Sequence, residues 1–204
     1  MLNIYFTRHG ETQWNIEQRL QGWKNSELTE EGVRNAQLLG ERLYQTNFRT
    51  IYSSSSERAL KTAKIICSDR DIPIHIVDNL KEISFGEWEG KTQVEIEESY
   101  EKEYSNFWAM PHEYNHVPHN AESLPDFKLR VEKAIKGIIE TNSNGNILIV
   151  THGVVIRAMM SFFLDVPTKN MWDFPIIHGT SLSLVRWNGK QFQKVMLGDT
   201  AHMG

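Results

Sequence analysis

Two histidines occur in matched contexts near opposite ends of this chain. His9 follows Arg8 and the apolar segment 2–6. His152 follows the apolar segment 147–150, and a glycine comes directly after each histidine, which lets the backbone turn sharply there. Ligands bind at the carboxyl ends of the strands in α/β sheets. If the two segments are neighbouring strands, two imidazoles and a guanidinium face one pocket, a combination that suits a phosphoryl group.

Two more groups suited to phosphoryl chemistry follow the second and third predicted strands. Arg58 lies in the first turn of a helix that Ser55 or Ser56 is expected to cap. Glu82 comes shortly after the segment 74–77. A histidine that accepts a phosphoryl group needs an unprotonated nitrogen, cationic donors around the phosphate and an acid for the leaving oxygen. Five residues can supply this set without a metal: Arg8, His9, Arg58, Glu82 and His152.

The acid has rivals close by in the sequence. Glu87 and Glu89 follow Glu82 within seven residues, and either could protonate a leaving group. Glu82 is favoured because it follows a predicted strand end, as His9, Arg58 and His152 also do.

Three histidines at 112, 116 and 119 offer a metal-binding alternative. Their spacing is loose, Pro111 and Pro118 interrupt any helix, and no cysteine or aspartate joins them. They are therefore interpreted as surface or lid histidines, and no metal and no cofactor are assigned to the chain.

Apolar patterning predicts strands that alternate with helices. The strands are expected at 2–6, 49–53, 74–77, 146–150, 181–187 and 191–197, the last two joined at Asn188-Gly189. Helices are expected after Thr29, from about Ser55, at 123–140 and after His152. This order indicates an α/β fold, a three-layer αβα sandwich whose mostly parallel sheet carries helices on both faces. A length of 204 residues fits one domain, 1–204.

The stretch 83–122 contains no predicted strand but is rich in aromatic residues. It is predicted to be a lid insertion over the site, and an irregular satellite of the core is the alternative. The stretch carries nine glutamates against two lysines, so a lid there is expected to repel a second anionic group on a substrate. The aromatic residues expected to approach the leaving group are Trp23, Phe85, Trp108 and Tyr114.

Composition excludes several classes of protein. A net charge of −4 argues against a nucleic-acid-coating surface. No apolar run approaches the ~20 residues of a membrane span, and no signal peptide is visible. The single cysteine, Cys67, is interpreted as a small buried apolar residue, and one cysteine fits a reducing compartment. A cytoplasmic location is therefore expected. The expected partner is a small-molecule phosphate ester, and neither nucleic acid nor a membrane is expected as a partner.

Several further residues complete an ordered series along most of the chain. The series is Arg8-His9-Gly10-Glu11-Thr12, Asn15, Gln21-Gly22, 28–32, Ser53-Ser54, Arg58-Ala59, Thr62-Ala63, Glu82, 86–90 and Thr151-His152-Gly153. In this order and spacing it resembles the histidine phosphatase superfamily, the phosphoglycerate-mutase-like enzymes, and is most similar to the short, broad-specificity bacterial phosphatases. The family often has Pro-Leu where this chain has Ser55-Ser56, a departure at the start of a helix rather than in the chemistry.

The resemblance implies a role for each matching residue. His9 would be the nucleophile that forms a phosphohistidine, and Glu82 would first protonate the leaving group and then deprotonate the attacking water. Arg8, Arg58 and His152 would bind the phosphoryl oxygens. Asn15 would add a donor, although it could also merely cap a short helix. Gln21 and Gly22 would lie on the rim beside the substrate.

The family holds both mutases and phosphatases, so the resemblance leaves the reaction open. A mutase must hold a bisphosphorylated carboxylic acid, which an acidic, aromatic lid suits poorly. The sequence therefore favours a broad-specificity phosphomonoesterase with a preference for monophosphates whose leaving groups are apolar. A phosphoglycerate mutase is one alternative, and a catalytically weak module that binds phosphorylated ligands is another.

Overall fold

The computed structural model of the protein describes residues 1–203, which contain one six-stranded sheet. The strands are Leu2–Arg8 (β1), Phe48–Ser54 (β2), Ile74–Val77 (β3), Gly145–Thr151 (β4), Leu182–Trp187 (β5) and Phe192–Asp199 (β6). The helices are Gln13–Ile16 (α1), Glu30–Arg42 (α2), Glu57–Cys67 (α3), Gln93–Ala109 (α4), Leu124–Thr141 (α5) and Gly153–Leu164 (α6). The strand order is β3-β2-β4-β1-β5-β6.

The sheet is parallel over its first four positions and antiparallel at the β5–β6 edge. β1 pairs directly with β4, from Leu2 opposite Gly145 to Arg8 opposite Thr151. The two strands that precede His9 and His152 are therefore neighbours in register, as the sequence predicted.

Helices cover both faces of the sheet because alternate residues of β4 are buried on opposite sides. Ile147 and Ile149 pack against α5 and α6, whereas Leu148 and Val150 pack against α2 and α3. All four side chains are fully buried, which is typical of a central parallel strand between two helical layers. The predicted three-layer α/β fold with a mostly parallel sheet is confirmed.

One predicted helix cap is confirmed in full, and the other is confirmed in position only. Thr29 caps α2, where its side chain accepts a hydrogen bond from the Gly32 N–H. Ser56 occupies the N-cap position of α3 but makes no side-chain capping bond. Instead, the Arg58 N–H donates to the Asn25 Oδ1 at 3.2 Å. A distant loop thus satisfies the start of α3, and the local sequence could not reveal it.

The insertion at 83–122 contains a long helix that the sequence did not predict. α4 starts with a capping box at Thr92 and kinks at Tyr100, whose backbone angles are non-helical. Aromatic residues of 83–122 surround the fully buried Trp88, against which the His119 ring stacks at 3.8 Å, and Trp88 belongs to the same apolar core as α5 and α6. His119 is therefore a buried histidine of the 83–122 segment rather than a surface one. Residues 1–203 contain no group of three or more His, Cys, Asp or Glu side chains suited to a metal ion.

Two smaller expectations about the chain can also be compared with the structure. Cys67 is buried at the end of α3, as predicted. Within residues 1–203, every helix is too short or too polar to cross a membrane.

Candidate active site

A cavity of about 270 Å³ opens at the carboxyl edge of the sheet, at the small end of the range for ligand pockets. Every site residue predicted from the sequence except His152 lines it, and the His152 ring contacts the His9 ring. The polar lining residues are Arg8, His9, Asn15, Arg19, Gln21, Arg58, Glu82 and Arg157.

The His9 ring is held as a neutral imidazole with a defined tautomer. The Arg58 Nε lies 3.2 Å from the His9 Nε2 and can only donate, so this ring nitrogen carries the lone pair. The His9 Nδ1 therefore carries the proton and donates to the Gly10 carbonyl oxygen at 2.8 Å. Burial, followed by the charges of Arg58 and Arg8, holds the pKa of His9 well below 6.5. The His9 Nε2 is therefore favoured in its unprotonated form.

His152 is fixed in the same way from the neighbouring strand. Its ring centroid lies 5.2 Å from that of His9. The Arg58 Nη2 donates to the His152 Nδ1 at 3.2 Å, so the Nε2–H donates to the Ser54 Oγ at 2.8 Å. Burial is the main cause that lowers the pKa of His152 well below 6.5. His152 is therefore also neutral in the absence of an anion.

Arg58 joins both histidines to the loop that follows α1. The side chain is 1% exposed, and it donates to the carbonyl oxygens of Gly22 and Lys24 at 2.8 and 2.7 Å. No carboxylate is within ion-pair distance among the described residues, and burial lowers the pKa of Arg58 to about 10. A buried cation without a paired anion favours the entry of a negatively charged ligand.

Arg8 supplies a second cation that is only partly satisfied. Its Nη1 donates to the Ile177 carbonyl oxygen at 3.0 Å, whereas its Nε is buried without a partner in residues 1–203. The N-terminus of α6 begins at Gly153, directly beside the Arg8 side chain, and adds the partial positive charge of a helix start. These donors form a site for an anion.

Glu82 is a buried carboxyl group at the same cavity. Its Oε1 accepts from the Ile83 N–H at 3.0 Å and its Oε2 accepts from the Val154 N–H at 3.1 Å. Burial raises the pKa of Glu82, although the two N–H groups and the charges of Arg58 and Arg8 oppose the shift. A carboxyl with a raised pKa suits an acid that donates a proton near neutral pH.

The two rival glutamates hold the surrounding loops instead. Glu87 accepts hydrogen bonds from Tyr100 and Asn120 within the insertion. Neither Glu87 nor Glu89 is among the described residues that line the cavity. The Glu89 carboxylate accepts three backbone N–H groups, from Trp23, Lys24 and Phe85. Of these three glutamates, Glu82 is the one that lines the cavity.

The predicted substrate-binding residues Asn15, Gln21 and Gly22 line the cavity. Thr12 is the N-cap of α1, and the Asn15 Oδ1 completes the capping box by accepting from the Thr12 N–H at 3.1 Å, so Asn15 both holds the start of α1 and lines the cavity. The Gln21 Nε2 donates to the Thr12 Oγ1 at 2.7 Å. Gly22 adopts φ +53°, and a Cβ there would lie 2.2 Å from the Glu89 carboxylate, which explains a glycine at this position.

The other half of the cavity is an apolar wall. Phe85 and Trp108 belong to it, as predicted, but Trp23 and Tyr114 do not. Trp23 donates its Nε1–H to the Glu82 carbonyl oxygen, and the Tyr114 hydroxyl forms a hydrogen bond with the His119 Nε2. The wall is formed by Leu20, Phe85, Trp108, Val154, Trp172, Ile176 and Ile177.

The segment between α6 and β5 supplies three wall residues that the sequence reasoning missed. Trp172, Ile176 and Ile177 lie between Pro167 and β5, where no helix or strand pattern was recognised. The concentration of apolar and aromatic residues in that irregular stretch was the available signal.

The nine glutamates of 83–122 do not contribute to the lining of the cavity, and the repulsion of a second anionic group that is expected of them stays a prediction. None of the nine is among the described lining residues, and most of them are exposed. Two further arginines line it instead. Arg19 is paired with Glu17 and Glu95. Arg157 donates from its Nη1 to two carbonyl oxygens, those of Trp172 and Phe174.

Comparison with known proteins decides the family. The sequence profile of the histidine phosphatase superfamily (branch 1) matches residues 4–200. The chain belongs to this superfamily. Among solved structures, Bacillus stearothermophilus YhfR superposes with a TM-score of 0.96 and 40% identity over 100% of both chains.

Curated relatives of this histidine phosphatase carry different activities in their names. The adenosylcobalamin/alpha-ribazole phosphatase of Escherichia coli (strain K12) is 32% identical over 87% of both chains. The probable phosphoglycerate mutase GpmB of Salmonella arizonae is 32% identical over 82% of this chain and 77% of its own length. The relatives include proteins named as phosphatases, and this chain is a histidine phosphatase.

Proposed function

We propose that this histidine phosphatase hydrolyses phosphomonoesters through a phosphohistidine on the His9 Nε2. The observation that carries the proposal is the neutral His9 ring, whose Nδ1–H is held by the Gly10 carbonyl and whose Nε2 lone pair faces the arginine site. A phosphate dianion would take over the donors of Arg58 and the free Nε of Arg8. The lone pair then becomes available for attack.

The reaction balances with groups of the cavity alone. The Nε2 lone pair attacks phosphorus, the ester P–O bond breaks, and the leaving oxygen takes the proton of Glu82. Water then attacks the phosphohistidine, Glu82 takes its proton, and the P–N bond breaks to return neutral His9 and inorganic phosphate. Arg8, Arg58 and His152 hold the equatorial oxygens, on which charge concentrates during transfer. Asn15, Gln21 and Gly22 bound the rim beside them.

The substrate range follows from the other half of the cavity. The wall offers apolar side chains, and Arg19 and Arg157 already have partners in the protein. Contact with such a wall depends on apolar area, at roughly 25 cal/mol per Å² buried, rather than on one arrangement of polar groups. This supports broad specificity with a preference for monophosphates of apolar leaving groups. The proposed partner is accordingly a small-molecule phosphate ester rather than nucleic acid or membrane, and the cytoplasmic location stays a prediction.

A phosphoglycerate mutase is the second candidate, because one relative of 32% identity bears that name. The test is a panel of aryl and alkyl monophosphates together with 3-phosphoglycerate and a sugar bisphosphate, at fixed ionic strength. We expect higher kcat/KM for the aryl and alkyl esters, and release of inorganic phosphate from 3-phosphoglycerate. Isomerisation of 3-phosphoglycerate, or a better rate with it, would favour the mutase.

The same panel distinguishes an enzyme from a module that only binds phosphorylated ligands. A single turnover is quenched, and the labelled protein is then treated with acid. Phosphohistidine loses its label in acid, so a label that survives indicates a phosphate ester of another residue. Labelling of the wild-type protein that is absent from His9→Gln supports the proposal. Binding of phosphate esters without any labelled protein or turnover would favour the binding module.

A further inference from the structure

Thr62 lies one helical turn after Arg58 and is fully buried. Its Oγ1 donates to the Arg58 carbonyl oxygen at 2.7 Å, the usual bond from a threonine to the preceding turn. The same oxygen also accepts the N–H of Gly10 at 3.0 Å. The hydroxyl therefore connects α3 to the turn that follows β1.

Gly10 is the residue that fixes the nucleophile. Its carbonyl oxygen accepts the proton of the His9 Nδ1 at 2.8 Å and so selects the tautomer with a free Nε2. The backbone here has little room, because a Cβ on Gly10 would lie 2.6 Å from the Gly32 carbonyl oxygen. The N–H that Thr62 accepts and the carbonyl that holds His9 belong to the same residue, so a shift of the Gly10 backbone moves that carbonyl.

The Thr62 hydroxyl thus connects Arg58 to the turn that carries His9, and both of these side chains must contact the phosphoryl group. The Arg58 Nε donates to the His9 Nε2. The Thr62 hydroxyl accepts from the Gly10 N–H and donates to the Arg58 carbonyl oxygen. We propose that Thr62 is a positioning residue, whose hydroxyl sets the plane and tautomer of His9 relative to Arg58 through Gly10. This inference rests on the proposed phosphohistidine chemistry.

The test compares three substitutions at buried threonines. Thr62→Val keeps the shape but removes the acceptor for Gly10, whereas Thr62→Ser keeps the hydroxyl. Thr50→Val is the matched control, because Thr50 is also buried and its Oγ1 donates to the Pro73 carbonyl oxygen at 3.0 Å, away from the cavity. The rate constant of phosphohistidine formation is measured in single turnover with p-nitrophenyl phosphate, well below the melting temperature of each variant.

We expect Thr62→Val to slow phosphohistidine formation by about tenfold to a hundredfold, the effect of a small misplacement of a reacting group. Labelling should still reach one phosphoryl group per folded chain, and KM should change little. Thr62→Ser and Thr50→Val should stay within about threefold of the original rate, because neither disturbs the Gly10 N–H. A merely structural threonine would lower the melting temperature and the active fraction, but not the rate per active site.

A second readout does not depend on turnover. In a protein labelled with ¹⁵N-histidine, the Nδ1–H resonance of His9 is assigned by its loss in His9→Gln and should broaden in Thr62→Val but not in Thr62→Ser. If Thr62→Val does not fold, Thr62→Cys replaces it, since a thiol is a weak donor and acceptor. An unchanged rate together with an unchanged resonance overturns the inference. A wild-type protein that forms no phosphohistidine refutes the proposed function, while the resonance still decides the role of Thr62.

Discussion

Replacing Glu82 by glutamine separates proton transfer from phosphate binding. The amide resembles the carboxylic acid in shape but cannot give the leaving oxygen a proton. General acid–base groups contribute ~10²–10⁴-fold, so kcat for an alkyl phosphate should fall by that factor, which corresponds to roughly 3–5 kcal/mol. The loss with p-nitrophenyl phosphate should stay below about tenfold, because its leaving oxygen needs little protonation.

The surroundings of Glu82 limit the side effects of this substitution. The carboxylate accepts two backbone N–H groups, and glutamine can accept only one while its NH₂ faces the other. A hydrogen bond to a charged group contributes about 1.5–3 kcal/mol, and the removal of a buried charge offsets part of its loss. The variant should therefore remain folded. Inorganic phosphate should bind at least as tightly, because a negative charge has left the site.

The pH dependence gives the same substitution a second signature. Burial raises the pKa of Glu82, and the acid must be protonated to act in the first step. Activity on an alkyl phosphate should therefore fall as pH rises through that pKa, and this decline should be absent from Glu82→Gln. The assay follows released phosphate from both esters between about pH 4 and pH 9, where carboxyl groups with ordinary and raised pKa values titrate.

Two control variants decide whether the reasoning holds. Glu89→Gln removes another buried carboxylate that accepts backbone N–H groups but does not line the cavity, so its losses should be equal for both esters. Glu87→Gln, on the surface of the insertion, should have little effect. An equal loss for good and poor leaving groups in Glu82→Gln, or a leaving-group dependence in Glu87→Gln, refutes the assignment of the acid.

Four further outcomes are expected. His9→Ala should abolish turnover and labelling, and a substantial residual rate in a phosphate-release assay would remove His9 as the nucleophile. Arg58→Ala should lower kcat/KM by about 10²–10³-fold through lost charge stabilisation, whereas a change in KM alone would contradict this. Activity should survive dialysis against EDTA, since arginines and His152 supply the positive charge, and a loss that added metal restores would show the opposite. Because burial keeps the pKa values of His9 and His152 below 6.5 in the folded state alone, stability should fall as pH drops below 6.5. The decrease is up to about 1.4 kcal/mol per pH unit for each histidine, and urea unfolding of His152→Gln should show a shallower slope.

The local sequence determined the frame of the site. Segments 2–6 and 147–150 are apolar runs that end in His-Gly turns, and a parallel sheet brings such ends to one edge. Arg58 and Glu82 could be found in the same way, because each follows a strand by a few residues. Strand patterning and strand-end position are local properties, so they can be read without knowledge of the fold.

Tertiary structure decided the contacts between segments that are distant in the chain. Asn25, rather than a neighbouring serine, satisfies the start of α3, and Trp172 and Ile176 complete the apolar wall from an irregular stretch. The lid glutamates could be counted from the sequence, but their direction away from the cavity could not. Whether a charged group or a hydroxyl reaches the substrate depends on how whole helices and strands pack together. Periodicity within one segment carries no information about the distance between a side chain and the substrate.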